Sequence, residues 1–80
     1  MGDDEYHPID CAVYSAYELA TLHRQRLRVG WRGEDGLLHQ EVLLPQDLVT
    51  RAGAEYLIAT NADGRRLELR LDRIIGSARL

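Results

Sequence analysis

Eighty residues, 45% hydrophobic and 29% charged, with a net charge of −3, make one small domain with room for a single core. A chain this short buries only about 60–65% of its unfolded surface, so a stability on the order of 5 kcal/mol is expected. A single cysteine excludes an internal disulfide, and no window approaches the ~20 apolar residues a membrane span needs.

The charge is uneven. Asp3, Asp4, Glu5, Asp10 and Glu18 fall within residues 1–20 without one Arg, a net −5, while the rest carries ten Arg against eight acids, a net +2. Such asymmetry speaks to partners, since an acidic patch prefers a basic surface and repels phosphate. The acidic start holds no apolar leader, every basic residue is Arg, and the one thiol needs no oxidant. The expected setting is a bacterial cytoplasm.

Residues 1–9 read as an acidic arm and anchor. Pro8 fixes its own φ and pushes His7 toward extended geometry. Asp10 is suited to cap a helix, with Ile9 and Tyr14 spaced as a hydrophobic staple. The helix segment is expected over residues 10–24, with Val13, Tyr17 and Ala20 on one apolar stripe and Tyr14 beside it. His23 and Arg24 suit the negative pole of its dipole.

Residues 25–75 read as strands. Leu27, Val29 and Trp31 alternate with Arg26, Arg28, Gly30 and Arg32, the period of a half-buried strand. Gly33–Gly36 is a turn, and Leu37–Leu44 resumes strand character until Pro45, which marks an edge, a bulge or a bend. A third strand over Glu55–Thr60 places Tyr56 and Ile58 on one face. Asn61–Gly64 is a hairpin loop, and Leu67, Leu69 and Leu71 alternate with Arg66, Glu68 and Arg70. Ile74 and Ile75 close a short fifth strand, leaving residues 76–80 as a tail. One helix and five short antiparallel strands, the second bent, predict a mainly β fold: a small five-stranded barrel capped by its N-terminal helix.

The segment Tyr6-x-Pro-Ile-x-Cys11-x-x-Tyr14-x-x-x-Glu18-Leu-Ala20 resembles the opening of the Rho-binding antiterminator (Rof) family. Asp47-Leu-Val-x-Arg51, Glu55-Tyr-Leu57 and Glu68-Leu-Arg-Leu-Asp-Arg-Ile74 resemble its later segments, in order, so the likeness runs from Tyr6 to Ile74. It implies an Sm-like barrel that binds the hexameric transcription termination factor Rho at its primary RNA-binding surface. Binding there blocks RNA loading and suppresses Rho-dependent termination. The resemblance also implies Tyr6, Asp10, Cys11, Tyr14 and Glu18, with Arg51, as partner-binding residues. This chain departs from the family in its helix, where Ala12, Val13 and Ser15 stand in place of acids.

Each candidate has a plainer reading. The acidic run serves equally as a solvated terminus. Tyr6 and Tyr14 serve as staple and core flank, and Cys11 as a small residue at a packed turn. Arg26 and Arg28 on one strand, with Arg66 and Arg70 on another, would form a basic stripe if their faces adjoin. That is the alternative function, an Sm-like RNA-binding module. Otherwise they are a solvated face paired with Glu41, Glu55 and Glu68. His7, Cys11, His23 and His39 match no zinc spacing, and Ser15 and Ser77 sit in no nucleophile motif. The expectation is a non-enzymatic regulator acting through protein–protein contact. No cofactor, metal, membrane or direct nucleic-acid contact is expected, and the free protein is expected to be a monomer.

Overall fold

A computed structural model describes residues 5–80. Helix α1 spans Cys11–Leu22, followed by β1 (Leu27–Arg32), β2 (Leu38–Arg51), β3 (Ala54–Asn61), β4 (Arg66–Arg70), a 3-10 turn (Leu71–Arg73) and β5 (Ile74–Arg79). The strands form one antiparallel sheet of five, in the order β4-β3-β2-β1-β5. The mainly β class and the five antiparallel strands agree with the sequence. Ladder closure into a barrel does not appear: β4 and β5 are the two edges, joined by the 3-10 turn. The sheet is nevertheless curled, since Trp31 of β1 and Leu67 and Leu69 of β4 line the same cleft.

The curl comes from β2. Its first half pairs with β1 and its second half with β3, and Leu43 belongs to both ladders, opposite Leu27 and Asn61. Strand β2 runs through Pro45, where the sequence reading had it interrupted. Pro45 lies opposite Ala59 and Asp47 opposite Ile58, so Gln46 is an extra residue, a bulge beside the proline. A residue without an N–H is tolerated where the ladder is already irregular, and a bulge increases local twist.

The core consists of Tyr17 and Ala20 of α1 with Leu27, Val29, Trp31, Leu43, Leu57, Ala59, Leu69 and Leu71. Trp31 is buried as expected, with His39 stacked on it at 5.4 Å between ring centroids. Leu57 and Ala59 are the fully buried residues of β3, on the face opposite to the one chosen from Tyr56 and Ile58. Ile58 is buried as well, against the other side of the sheet. Val13 is 43% exposed and outside the core, because Tyr6, Ile9 and Tyr14 pack against the core at this end.

Three local features escaped the pattern. The helix ends at Leu22 with Arg24 at φ 52, where the amides of Arg24 and Gln25 donate to the carbonyls of Thr21 and Ala20. This is a Schellman stop, built here without the usual glycine. The presumed tail is mostly β5: Ser77, Ala78 and Arg79 lie opposite Val29, Arg28 and Leu27. As an exposed edge strand it carries no alternation to detect. Strands β2 and β3 are joined by Ala52 and Gly53 alone, both at positive φ, the geometry of a type I′ turn.

Two consequences can be checked by denaturant unfolding. Ala52 holds a left-handed conformation that costs an ordinary L residue about 1 kcal/mol, so Ala52→Asn should raise stability by roughly that amount. Leu43 is fully buried and shared by both halves of the sheet, so Leu43→Ala should cost about 2–5 kcal/mol, much of the total.

Candidate functional site

The N-terminal anchor is tied to the sheet at two points. The Tyr6 hydroxyl donates to Glu55 Oε1 at 2.9 Å, and the His7 amide donates to Asp72 Oδ2 at 3.0 Å. Asp72 also receives Arg70 through two bonds, Nε to Oδ1 at 2.7 Å and Nη2 to Oδ2 at 2.9 Å. The Arg70 guanidinium lies 5.9 Å from the centroid of the Tyr6 ring. Residues 6, 7, 55, 70 and 72 thus form one cluster at the helix start.

The helix emerges from this cluster. Asp10 Oδ1 accepts the Ala12 amide at 2.7 Å, the cap expected of it. Tyr14, half-buried, faces the same region, and the nearby Glu55 and Glu18 carboxylates act on its phenol. Glu18 and Cys11 are exposed, and Glu18 makes no ion pair with another described residue. Arg51, at the end of β2, donates to Glu68 Oε1 at 2.9 Å and lies 5.3 Å over the Tyr56 ring. Its neighbour Thr50 pairs with Glu55, so the β2–β3 turn borders the anchor. Tyr6, Asp10, Cys11, Tyr14 and Glu18 therefore share one end of the molecule. Asp3 and Asp4 lie outside the described residues.

The electrostatics follow from the contacts. Burial pushes the Tyr6 phenol well above its ordinary range, and Glu55 adds to it by accepting the hydroxyl proton. The Tyr14 phenol is raised by burial first and then by Glu55 and Glu18. For Asp72, burial works against ionisation, but Arg70 and the His7 amide outweigh it and hold the carboxyl below its usual value. Glu68 is held low by Arg51, and more weakly by Arg66, whose Nη2 lies 3.4 Å from Oε2.

Glu55 and Asp72 are the residues that sequence reasoning did not single out as part of the site. Both sit inside quoted segments, Glu55-Tyr-Leu57 and Glu68–Ile74, and for Asp72 an acid directly after the Arg-bearing strand β4 was the available signal.

The arginines divide into two groups. Strands β1 and β4 are separated by β2 and β3, so Arg26 and Arg28 do not join Arg66 and Arg70 in one ladder. Arg66 and Arg70 are engaged by Glu68 and Asp72. Glu41 accepts from the Asn61 side chain and Glu55 from Tyr6, in place of the arginine partners expected. Arg26 and Arg28 make no ion pair with another described residue. Among the described residues no His, Cys, Asp and Glu side chains gather in threes as metal ligands would. No helix there is long and apolar enough to cross a membrane.

The Arg70 and Asp72 side chains are only 16% and 7% exposed, so removing the charge of one leaves the other poorly solvated. Asp72→Asn should lower stability by about 2 kcal/mol at neutral pH, read by urea unfolding. A carboxyl held low in the folded state stabilises above its unfolded value of about 3.9, and that contribution vanishes as pH falls through the folded value. The gap between wild type and Asp72→Asn should therefore close on acidification.

No protein-family model matches this chain, and no curated protein matches it. Among solved structures it is similar in fold to proteasome accessory factor B/C (PafBC) of Arthrobacter aurescens, with a TM-score of 0.77 at 15% identity. The match covers 95% of this chain and 12% of that protein, so the likeness is one of fold over a small part of a longer molecule.

Proposed function

We propose that this chain is a protein-binding regulator that covers the primary RNA-binding surface of Rho and blocks RNA loading. On this reading the curled sheet is the Sm-like barrel of the Rof family, and the end of the molecule bearing Tyr6, Asp10, Cys11, Tyr14 and Glu18 is the contact. The observation that carries the reading is the presentation of these residues: the anchor is pinned through Glu55 and Asp72, while Glu18 and Cys11 stand exposed on the helix it launches. A surface that holds phosphates must be cationic, and an exposed carboxylate such as Glu18 is the group such a surface would accept in place of RNA.

The exposed face of α1 is not purely acidic. Leu19 and Leu22, on the Glu18 side of the helix, are 55% and 75% exposed, so the contact combines Glu18 and Asp10 with apolar burial. That compensates in kind for the absent acids at Ala12, Val13 and Ser15. Direct RNA binding by Arg26, Arg28, Arg66 and Arg70 is the less supported reading, because β1 and β4 share no ladder and two of the four are held by carboxylates.

Purified Rho should be captured by this chain, and a short cytosine-rich RNA should displace it. Failure of capture at low salt would refute the proposal. Capture should weaken as salt rises, since the charges are exposed. Glu18→Arg should weaken it about tenfold, while Asp63→Arg, on the exposed β3–β4 turn, should leave it unchanged.

A further inference from the structure

A concave feature runs along the free edge of β4, sharing Arg70 with the cluster at the helix start. A cleft of about 440 Å³ is lined by Trp31, Arg32, Glu34, Tyr56, Arg70 and Arg73, with the consecutive β4 residues 67–70 along one side. Successive residues of a strand point to opposite faces, so four in a row lining one cleft means that it runs beside the strand's edge. That edge has no ladder partner among the described residues, which leaves β4 backbone N–H and C=O groups facing the cleft.

Three cations reach it from three elements: Arg32 from the end of β1, Arg70 from β4 and Arg73 from the 3-10 turn. Arg32 is held by a 2.9 Å bond from Nη1 to the Gly36 carbonyl, Arg70 by its fork on Asp72, and Arg73 acts on the same Asp72 carboxylate. Of the two acids on the lining, Glu68 is already engaged by Arg51 and Arg66 from outside. With Arg70 balanced by Asp72 and Glu68 by Arg51 and Arg66, Arg32 and Arg73 against Glu34 leave the lining with a small positive excess in a chain whose net charge is −3. Tyr56, half-buried, contributes an aromatic wall, and Trp31, 7% exposed and stacked on His39, contributes a small part of its ring.

We infer that this cleft binds a small flat-ringed organic anion, the chemistry shared by a nucleoside monophosphate and an aromatic carboxylate. The ring packs against Tyr56 and the exposed part of Trp31, its heteroatoms meet the β4 edge, and Arg32 and Arg73 take the anionic group. The volume fits such a molecule, since small-ligand sites span roughly 300–1,000 Å³ and combine apolar walls with a few convergent polar groups. Guanidinium groups suit carboxylate and phosphate alike, and aromatic side chains accept any flat ring. This inference is independent of Rho binding, which uses α1 and the anchor.

Trp31 is the only tryptophan, so its fluorescence reports the cleft directly. The full chain would be titrated with uridine 5′-monophosphate, with 4-hydroxybenzoate and with inorganic phosphate, followed by Trp31 emission and calorimetry without Rho. Saturable binding of either ring-bearing anion, tighter than that of phosphate, is expected, and the tighter of the two identifies the source. Arg32→Gln and Arg73→Gln should each weaken it about tenfold, the loss of one charge-assisted contact, with circular dichroism unchanged. Arg79→Gln, outside the cleft, should have no effect. Absence of binding by both ring-bearing anions would overturn the inference, as would phosphate binding equally well. So would affinity indifferent to both cleft arginines.

Discussion

The carboxylate of Asp72 joins three segments that are far apart in the chain: the anchor through the His7 amide, β4 through Arg70, and the 3-10 turn that carries Asp72 itself. Its side chain is nearly buried, so these charge-assisted bonds act in a medium of lower dielectric than water, and ionisation survives there only because they are made. Everything at the helix end depends on this arrangement. Pro8 stiffens the anchor but does not say where it goes; Asp72 and Glu55 do. Once the anchor is placed, the Asp10 cap sets the direction of α1, and Tyr17 and Ala20 seat the helix on the sheet.

The second constraint is the bend in β2. A 14-residue strand that serves two ladders must turn between them, and Leu43, Pro45 and the extra residue Gln46 stand where it does. The curl brings β1 and β4 to the same cleft without pairing β4 to β5. The same geometry thus closes the core around Leu43, Leu57 and Leu71 and leaves an open edge beside it.

Charge is sorted on this frame. Around β4, arginines are matched with carboxylates in a short network: Arg51 and Arg66 on Glu68, Arg70 on Asp72. Around β1, Arg26 and Arg28 stand in solvent. The exposed ion pairs at Glu68 add little to stability, since solvent screens them, but they settle which arginines remain available to another molecule. The helix end offers carboxylates and apolar side chains, and the β4 edge offers guanidinium groups and aromatic rings. Two surfaces of opposite chemistry on one small domain suit partners of different kinds.

Local patterns in the sequence by themselves determined the helix and its Asp10 cap, four of the strands, the turns at Gly33–Gly36 and Asn61–Gly64, and a buried Trp31. In each case the responsible interaction lies within a few residues: a cap, an alternation, a glycine at positive φ. What only the tertiary structure decided is of another kind. Strand β5 runs on past Ile75 because β1 has an edge to pair, and the exposed residues 76–79 carry no alternation that would reveal the extension. Val13 stays 43% exposed while Tyr6, Ile9 and Tyr14 pack against the core, and β3 buries Leu57 and Ala59 because the face they share closes on Tyr17, Leu43 and Leu69. The same holds for the site. Tyr6 meets Glu55, His7 meets Asp72, and Arg32 and Arg70 come to line one cleft only after the chain has folded, through long-range placements that no short stretch of sequence encodes.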